Sequence, residues 1–124
     1  MVRIVVLNDN RKNNPQLENE HGLSLYIEVD GYKILLDAGQ TDIFKKNAKK
    51  LGVNLDDLDT IVLSHGHYDH GNGLKHIDKK IPLICCPGCD CYRVSKRTGN
   101  YGGLNQKVEE LSEKFDLIQT TEPY

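Results

Sequence analysis

The sequence predicts an α/β protein in which a mixed β-sheet is flanked by helices. Apolar, β-branched runs alternate with segments of helical periodicity along the chain, and this pattern is typical of that class. Residues 23–29 alternate polar and apolar side chains, and a tight turn at 30–31 joins them to the run 32–36, which predicts a hairpin. The apolar run 60–63 follows a predicted helix and adds a further strand.

The other elements have local signals of their own. Residues 2–7 are β-branched and apolar and predict a first strand, whereas 8–22 are polar and predict a surface loop. A helix is predicted from about Thr41, whose side chain can cap it, to Leu51, with Gly52 as its end. The remaining predicted elements are an acidic connector over 54–59, a short helix starting at 73, a strand over 81–86, a helix over 106–115 and a final strand over 116–121.

Length and charge narrow the classes of function. At 124 residues the chain is predicted to be one domain, spanning 1–124. Its formal net charge is -2, with 27% charged and 38% hydrophobic residues, so it lacks the basic footprint of a protein that binds nucleic acid. We therefore expect no nucleic-acid partner.

The N-terminus and the hydropathy of the chain predict a cytoplasmic protein. The apolar run at 2–7 is too short for a signal peptide, and an acidic residue follows it. The sequence contains no apolar stretch of membrane-spanning length, so we expect no membrane partner. In the cytoplasm the four cysteines would stay reduced.

A histidine-rich segment, residues 64–73, carries the strongest chemical signal. In an extended loop His65 and His67 point the same way and can bind one cation, whereas the adjacent Asp69 and His70 suit a second. Two metals about 3.5–4 Å apart can activate water for attack on a phosphoryl or carbonyl group. The glycines of the segment are expected to let the backbone turn tightly around the ions. The alternative is that these histidines only cap strands and bond to the backbone.

A second candidate metal cluster consists of four cysteines, Cys85, Cys86, Cys89 and Cys91. Thiolates bind zinc or copper(I) well, but a structural zinc site usually draws on two separated pairs, and these four are crowded together. Two alternatives stay open. Cys85 and Cys86 can be small core residues with the other two as loop thiols, or the CxxC at 86–89 can be a redox pair.

Residues 60–71 resemble the HxHxDH signature of the metallo-β-lactamase-fold hydrolases. Residues 20–24 and 34–39 match the same family, and 96–97 with 101–103 match it less specifically. Together these segments resemble the branch of the beta-lactamase superfamily II that is described as dihydropterin-ribofuranosylaminobenzene-phosphate synthase-like.

The resemblance implies a metal-binding role for the histidine-rich segment. His65 and His67 would hold a first divalent metal, and Asp69 and His70 a second. Zinc is the expected metal, with manganese or iron as alternatives. Asp69 would also orient or deprotonate the attacking water, which makes it the candidate catalytic residue.

Three residues outside the segment receive supporting roles from the resemblance. Asp37 would lie behind the metal ligands and support them. Glu20 and His21 fall on a motif of this branch and would face the substrate pocket, and the alternative for this pair is a loop salt bridge or a surface pair.

The resemblance further implies that the chain covers only the N-terminal half of an αββα sandwich. The family's later ligands include two more histidines, and no histidine follows His76. One face of the sheet would then lose its covering layer, so we expect a homo-oligomer or a separately encoded C-terminal half.

Two functions stay open at this point. The first is a hydrolase of a small-molecule phosphate or carboxylic ester, or the related pterin-phosphate condensation, that becomes active once completed. The second is a catalytically incompetent metal-binding or interaction module.

Overall fold

Six strands form one mixed sheet in which the order in space equals the order in the chain. The computed structural model describes residues 1–11 and 14–122, so residues 12 and 13 of the predicted surface loop lie outside the described residues. The first three strands pair antiparallel and the last four pair parallel, which confirms the predicted mixed α/β class. The strands are β1 Val2–Asn8, β2 Ser24–Val29, β3 Tyr32–Leu36, β4 Thr60–Val62, β5 Pro82–Cys85 and β6 Asp116–Gln119.

Three α-helices and two 3-10 turns connect the strands. The predicted helix before β4 is present, and Gly52 ends it in the left-handed conformation at φ 73°. Its first residue is Ile43 rather than Thr41, whose hydroxyl oxygen lies 3.4 Å from the Ile43 nitrogen. The helices are α1 Ile43–Leu51, α2 Tyr68–Gly71 and α3 Val108–Lys114, and the 3-10 turns are Leu55–Asp57 and Asn72–His76.

Helices α1 and α3 pack on the same face of the sheet and build one core. Phe44 of α1 and Leu111 of α3 are fully buried, and so are Leu35 and Leu83 from the central strands. These residues belong to one contiguous hydrophobic cluster, and burying each such side chain contributes about 1.5–3 kcal/mol. The apolar spacing that predicted the two helices therefore corresponds to their buried faces.

The opposite face of the sheet is apolar and uncovered by the described residues. Strand register places the alternate residues of all six strands on this face. Val2, Ile4 and Val6 at its outer edge are 49% to 60% exposed. We call this surface the open sheet face. Its apolar residues are Val2, Ile4, Val6, Leu25, Ile27, Val29, Tyr32, Ile34, Leu36, Val62, Ile84 and Ile118.

The histidine-rich segment differs from the extended loop that we expected. His67 is extended, but helix α2 begins at Tyr68, so Asp69 and His70 lie on a helical turn. Its glycines also act differently, because Gly66 has no positive φ. A Cβ atom at Gly66 would lie 1.7 Å from the carbonyl oxygen of Cys89. Glycine is needed there for close backbone packing and not for a turn.

Candidate metal centre

The histidine-rich segment lies at the carboxyl ends of the neighbouring parallel strands β3 and β4. Asp37 follows β3 directly, and its backbone N–H donates to the carbonyl oxygen of Val62 in β4 at 2.9 Å. The next residue, Ala38, donates to the carbonyl oxygen of His70 at 2.8 Å. These two bonds attach the residues after β3 to strand β4 and to helix α2, so His70 of α2 is held next to Asp37.

Asp37 is fully buried and accepts three hydrogen bonds. Its Oδ1 accepts from the backbone N–H of Ser64 at 2.7 Å, and its Oδ2 accepts from the Ser64 hydroxyl at 2.6 Å and from Nδ1 of His70 at 2.7 Å. These bonds hold Asp37 at φ 58°, in the left-handed region that non-glycine residues rarely adopt. Residues in such conformations cluster at functional sites.

The same hydrogen bonds determine which ring nitrogens of His65 and His70 carry a proton. A carboxylate only accepts, so His70 must donate from Nδ1 and Ser64 must donate its hydroxyl proton to Asp37. The Ser64 oxygen then accepts from Nδ1 of His65, which lies 2.8 Å away. In its neutral form, each imidazole then keeps a free electron pair on Nε2, and this is the form that binds a metal.

Asp69 lies beside His70 and closes the other side of the site. Its Oδ2 is 3.6 Å from Nε2 of His70 and 3.0 Å from Nε2 of His21. The Asp69 side chain is 12% exposed, whereas that of His21 is 60% exposed. Asp69 therefore has a solvent-facing imidazole within hydrogen-bonding distance.

His65 is the central ring of the histidine group. Its ring centroid lies 4.7 Å from that of His67 and 4.2 Å from that of His70. Burial lowers the pKa of His65 below its ordinary value, and repulsion from His70 and His67 lowers it further. The ring is thus neutral at pH 7, as a metal ligand must be.

The donor set fits a divalent metal. Ligand atoms of Asp37, His65 and His70 lie within 4.8 Å of one another, and imidazole with carboxylate is a common zinc ligand set. Because Asp37 already accepts three hydrogen bonds, its geometry suits orienting His70 and His65 more than binding the ion itself. His67 lies beside His65, and Asp69 lies beside His70.

Glu20 directly precedes His21 in the sequence, but its carboxylate does not contact Asp69. It accepts hydrogen bonds from the backbone N–H groups of Gln40 and Thr41 at 3.1 and 3.0 Å, and from the Thr41 hydroxyl at 2.7 Å. These contacts join the loop before β2 to the loop before α1. His21 and not Glu20 is therefore the member of the pair that contacts Asp69.

The four cysteines do not converge on one point. Cys85 and Cys89 are buried with sulfur atoms 3.6 Å apart, whereas Cys86 and Cys91 are exposed. The hydrogen bond to Cys89 and burial raise the pKa of Cys85, so this thiol stays protonated at pH 7. Within the described part of the chain, the group of three or more possible metal ligands that lie close together is Asp37, His65 and His70, and it contains no cysteine.

Arg93 braces the histidine-rich segment, and sequence reasoning assigned it no role. Its guanidinium donates to the carbonyl oxygens of Gly66 at 3.3 Å, Cys89 at 3.1 Å, Cys91 at 3.0 Å and Gly88 at 3.1 Å. The cysteine turn is thereby attached to the backbone between His65 and His67. The sequence holds no local signal for this contact, because it joins residues that only the fold brings together.

Residues 18–84 match the sequence profile of the Metallo-beta-lactamase superfamily. This chain belongs to that superfamily. The matched segment contains Asp37 and the four candidate ligands His65, His67, Asp69 and His70.

Relatives of this superfamily member include two proteins of Methanocaldococcus jannaschii. The uncharacterised protein MJ0448 is 37% identical over 100% of this chain and 48% of its own length. The 7,8-dihydropterin-6-methyl-4-(beta-D-ribofuranosyl)-aminobenzene-5'-phosphate synthase is 36% identical over 78% of this chain and 37% of its own length. The chain thus spans less than half the length of these relatives.

The fold has a similar counterpart in the crystal structure of Tm1679, a metal-dependent hydrolase of the beta-lactamase superfamily. The two share a TM-score of 0.81 and 30% sequence identity, over 98% of this chain and 43% of Tm1679. This likeness confirms the predicted metallo-β-lactamase-like fold. Among the residues that the structure describes, none of the helices has the length and apolar character to cross a membrane.

Proposed function

We propose that this protein supplies the histidine-containing half of a metal-dependent hydrolase that acts on a small-molecule phosphate or carboxylic ester. The observation that carries the proposal is the hydrogen-bond chain from His65 through Ser64 and Asp37 to His70. It prepares two imidazole Nε2 atoms for metal binding and uses a fully buried carboxylate to do so. A merely structural histidine pair does not require such an arrangement.

Each residue of the site has a distinct task in this proposal. His65 and His67 bind a first divalent metal and Asp69 with His70 a second, zinc being the first choice and manganese or iron the alternatives. Divalent metals at such a site lower the pKa of water and polarise the ester.

The protein's own groups then handle the proton of the attacking water. Asp69 orients the water and accepts its proton on Oδ2. His21, at 3.0 Å, is placed to pass that proton to solvent, because its side chain is the more exposed of the two. The water oxygen bonds to the phosphorus or carbonyl carbon of the ester, the bond from that atom to the leaving alkoxide breaks, and the alkoxide takes up a proton from solvent.

The similarity to the synthase of Methanocaldococcus jannaschii supports one variant of this chemistry. In that variant the same site serves a condensation of a phosphate-bearing substrate instead of a hydrolysis. The second candidate function is a catalytically incompetent metal-binding or interaction module. The ligand group that the described residues bring together favours it, because this group consists of three side chains, Asp37, His65 and His70, which are few for two ions.

The open sheet face supports the proposal that a further layer completes the active protein. A second copy of the chain or a separately encoded C-terminal half would cover its apolar residues. The four free thiols fit a reducing compartment, and we propose a cytoplasmic location.

Metal analysis combined with native mass spectrometry tests the proposal. The hydrolase predicts about two divalent ions per active assembly and metal-dependent turnover of a phosphodiester or ester, whereas the binding module predicts less metal and no turnover. The variants His65→Ala and His67→Ala should lose metal. The matched control replaces Cys85, Cys86, Cys89 and Cys91 by serine and should keep it. The reverse result would exclude the histidine-rich segment as the metal site.

A further inference from the structure

A pocket adjoins the histidine-rich segment at Tyr68, the first residue of helix α2. It has a volume of about 400 Å³ and is lined by Tyr68, Tyr101 and Gly102 together with Ser95, Arg97, Thr98 and Asn100. Tyr68 directly precedes Asp69 in the sequence. We call this cavity the Tyr68–Arg97 pocket.

The parts of the chain that line the pocket are joined by backbone contacts of the histidine-rich segment. The N–H of Tyr68 donates to the carbonyl oxygen of Gly102 at 3.0 Å, and His67 forms an antiparallel bridge with Gly103. The turn that carries Arg97 is closed by a hydrogen bond from the Ser95 N–H to the Asn100 carbonyl oxygen at 2.9 Å. The pocket is therefore held at a set position relative to His67 and Asp69.

Several side chains that line the pocket can donate hydrogen bonds. The hydroxyl oxygens of Ser95 and Thr98 accept from the backbone N–H groups of Thr98 and Asn100, both at 3.2 Å. One lone pair of each oxygen is thus engaged, and each hydroxyl keeps its proton for a ligand. Together with the guanidinium of Arg97 and the amide of Asn100, the wall offers several donors to one acceptor-rich group.

The charge of the pocket points to an anion. The residues that line it include Arg97 and no acidic residue, and among the described residues Arg97 forms no salt bridge within 4.0 Å. This local positive charge contrasts with the net charge of -2 of the whole chain. A planar guanidinium with adjacent hydroxyl donors matches the geometry of a phosphate group.

We propose that the Tyr68–Arg97 pocket binds a non-reacting phosphate group of the substrate, with Arg97 as its charged ligand. The reacting ester bond of the same molecule then lies at the histidine-rich segment. This inference rests on the proposed function for the identity of the reaction, but the pocket itself does not need a metal. It narrows the substrate class to small phosphorylated molecules.

Binding of phenyl phosphate to the metal-free protein tests the pocket separately from the catalytic site. Amide chemical shifts are recorded by NMR in the presence of a chelator, with phenol as the uncharged control probe. We expect phenyl phosphate to shift the amides of Tyr68, Thr98 and Asn100, and phenol to leave them unchanged. Arg97→Ala should weaken binding by about tenfold or more.

Lys96→Ala is the matched control, because it removes the same charge from the neighbouring residue, which does not line the pocket. We expect it to bind almost as well as the wild type, and Arg97→Gln to behave like Arg97→Ala. Three results would each overturn the proposal. The first is that phenyl phosphate does not bind at millimolar concentration, and the second is that the shifts are confined to the His65–His70 backbone. The third is that the Arg97 and Lys96 variants lose equal affinity. If the wild-type protein binds no zinc in a separate titration, this result overturns the proposed function and not the pocket.

Discussion

The Nδ1 atom of His70 lies 2.7 Å from Oδ2 of Asp37, a carboxylate with no exposed surface. The same Oδ2 accepts the hydroxyl proton of Ser64, whose oxygen lies 2.8 Å from Nδ1 of His65. One buried oxygen therefore orients two imidazoles that follow a different strand. This relationship makes Asp37 the residue on which the geometry of the proposed metal centre depends.

Asp37→Asn should weaken zinc binding by about 10–100-fold. Asparagine keeps one acceptor oxygen and places an NH2 group against the donors of Ser64 and His70, so both rings lose their orientation. Zinc affinity is measured by competition with a chromophoric chelator. Asp78→Asn, at a side chain that is 88% exposed, is the control and should bind like the wild type. Equal affinity in both variants would show that Asp37 does not support the ligands.

Gly66→Ala should destabilise the protein by about 1–3 kcal/mol, because the new Cβ would lie 1.7 Å from the carbonyl oxygen of Cys89. Gly102→Ala is the matched control, since no atom lies within 4 Å of a Cβ at that position. Its unfolding free energy should stay within about 0.5 kcal/mol of the wild type. Urea unfolding followed by circular dichroism gives both values. Two equally stable variants would contradict the close approach of these backbones.

Arg93→Ala should lower the unfolding free energy by about 1–3 kcal/mol, because carbonyl groups at Gly66 and Cys89 lose their donor. Zinc binding should weaken too, since the brace holds the backbone between His65 and His67. Arg93→Lys retains the charge but cannot reach four carbonyl oxygens, and it should recover only part of both losses. Full recovery by lysine would indicate that charge alone matters at this position.

Glu20→Gln should destabilise the protein by about 1–2 kcal/mol without changing zinc affinity. The carboxylate accepts bonds from Gln40 and Thr41, and an amide cannot accept at both of its ends. Thermal unfolding and the chelator competition assay measure the two effects, with Glu18→Gln as the control. A fall in zinc affinity at unchanged stability would place Glu20 in the binding site instead.

Local sequence patterns were sufficient for most of the fold. The hairpin of β2 and β3 follows from strict alternation around a tight turn, and α1 follows from the spacing of Phe44 and Ala48. The uncovered face also followed from the family resemblance. These features depend on residues that are close in sequence or on a motif of fixed spacing, so they could be predicted from one chain.

The sequence by itself determined the strand and helix order and the candidate ligand group at His65–His70, because both depend on short-range spacing. Only the tertiary structure decided which side chains meet at the ends of the strands. It directed Asp37 toward His70, turned Glu20 toward Thr41 and separated the cysteines into a buried pair and two exposed thiols. It also brought Arg93 to Gly66. Such contacts join residues from separate connections, and hydrogen-bond geometry between them has no periodic trace in the sequence.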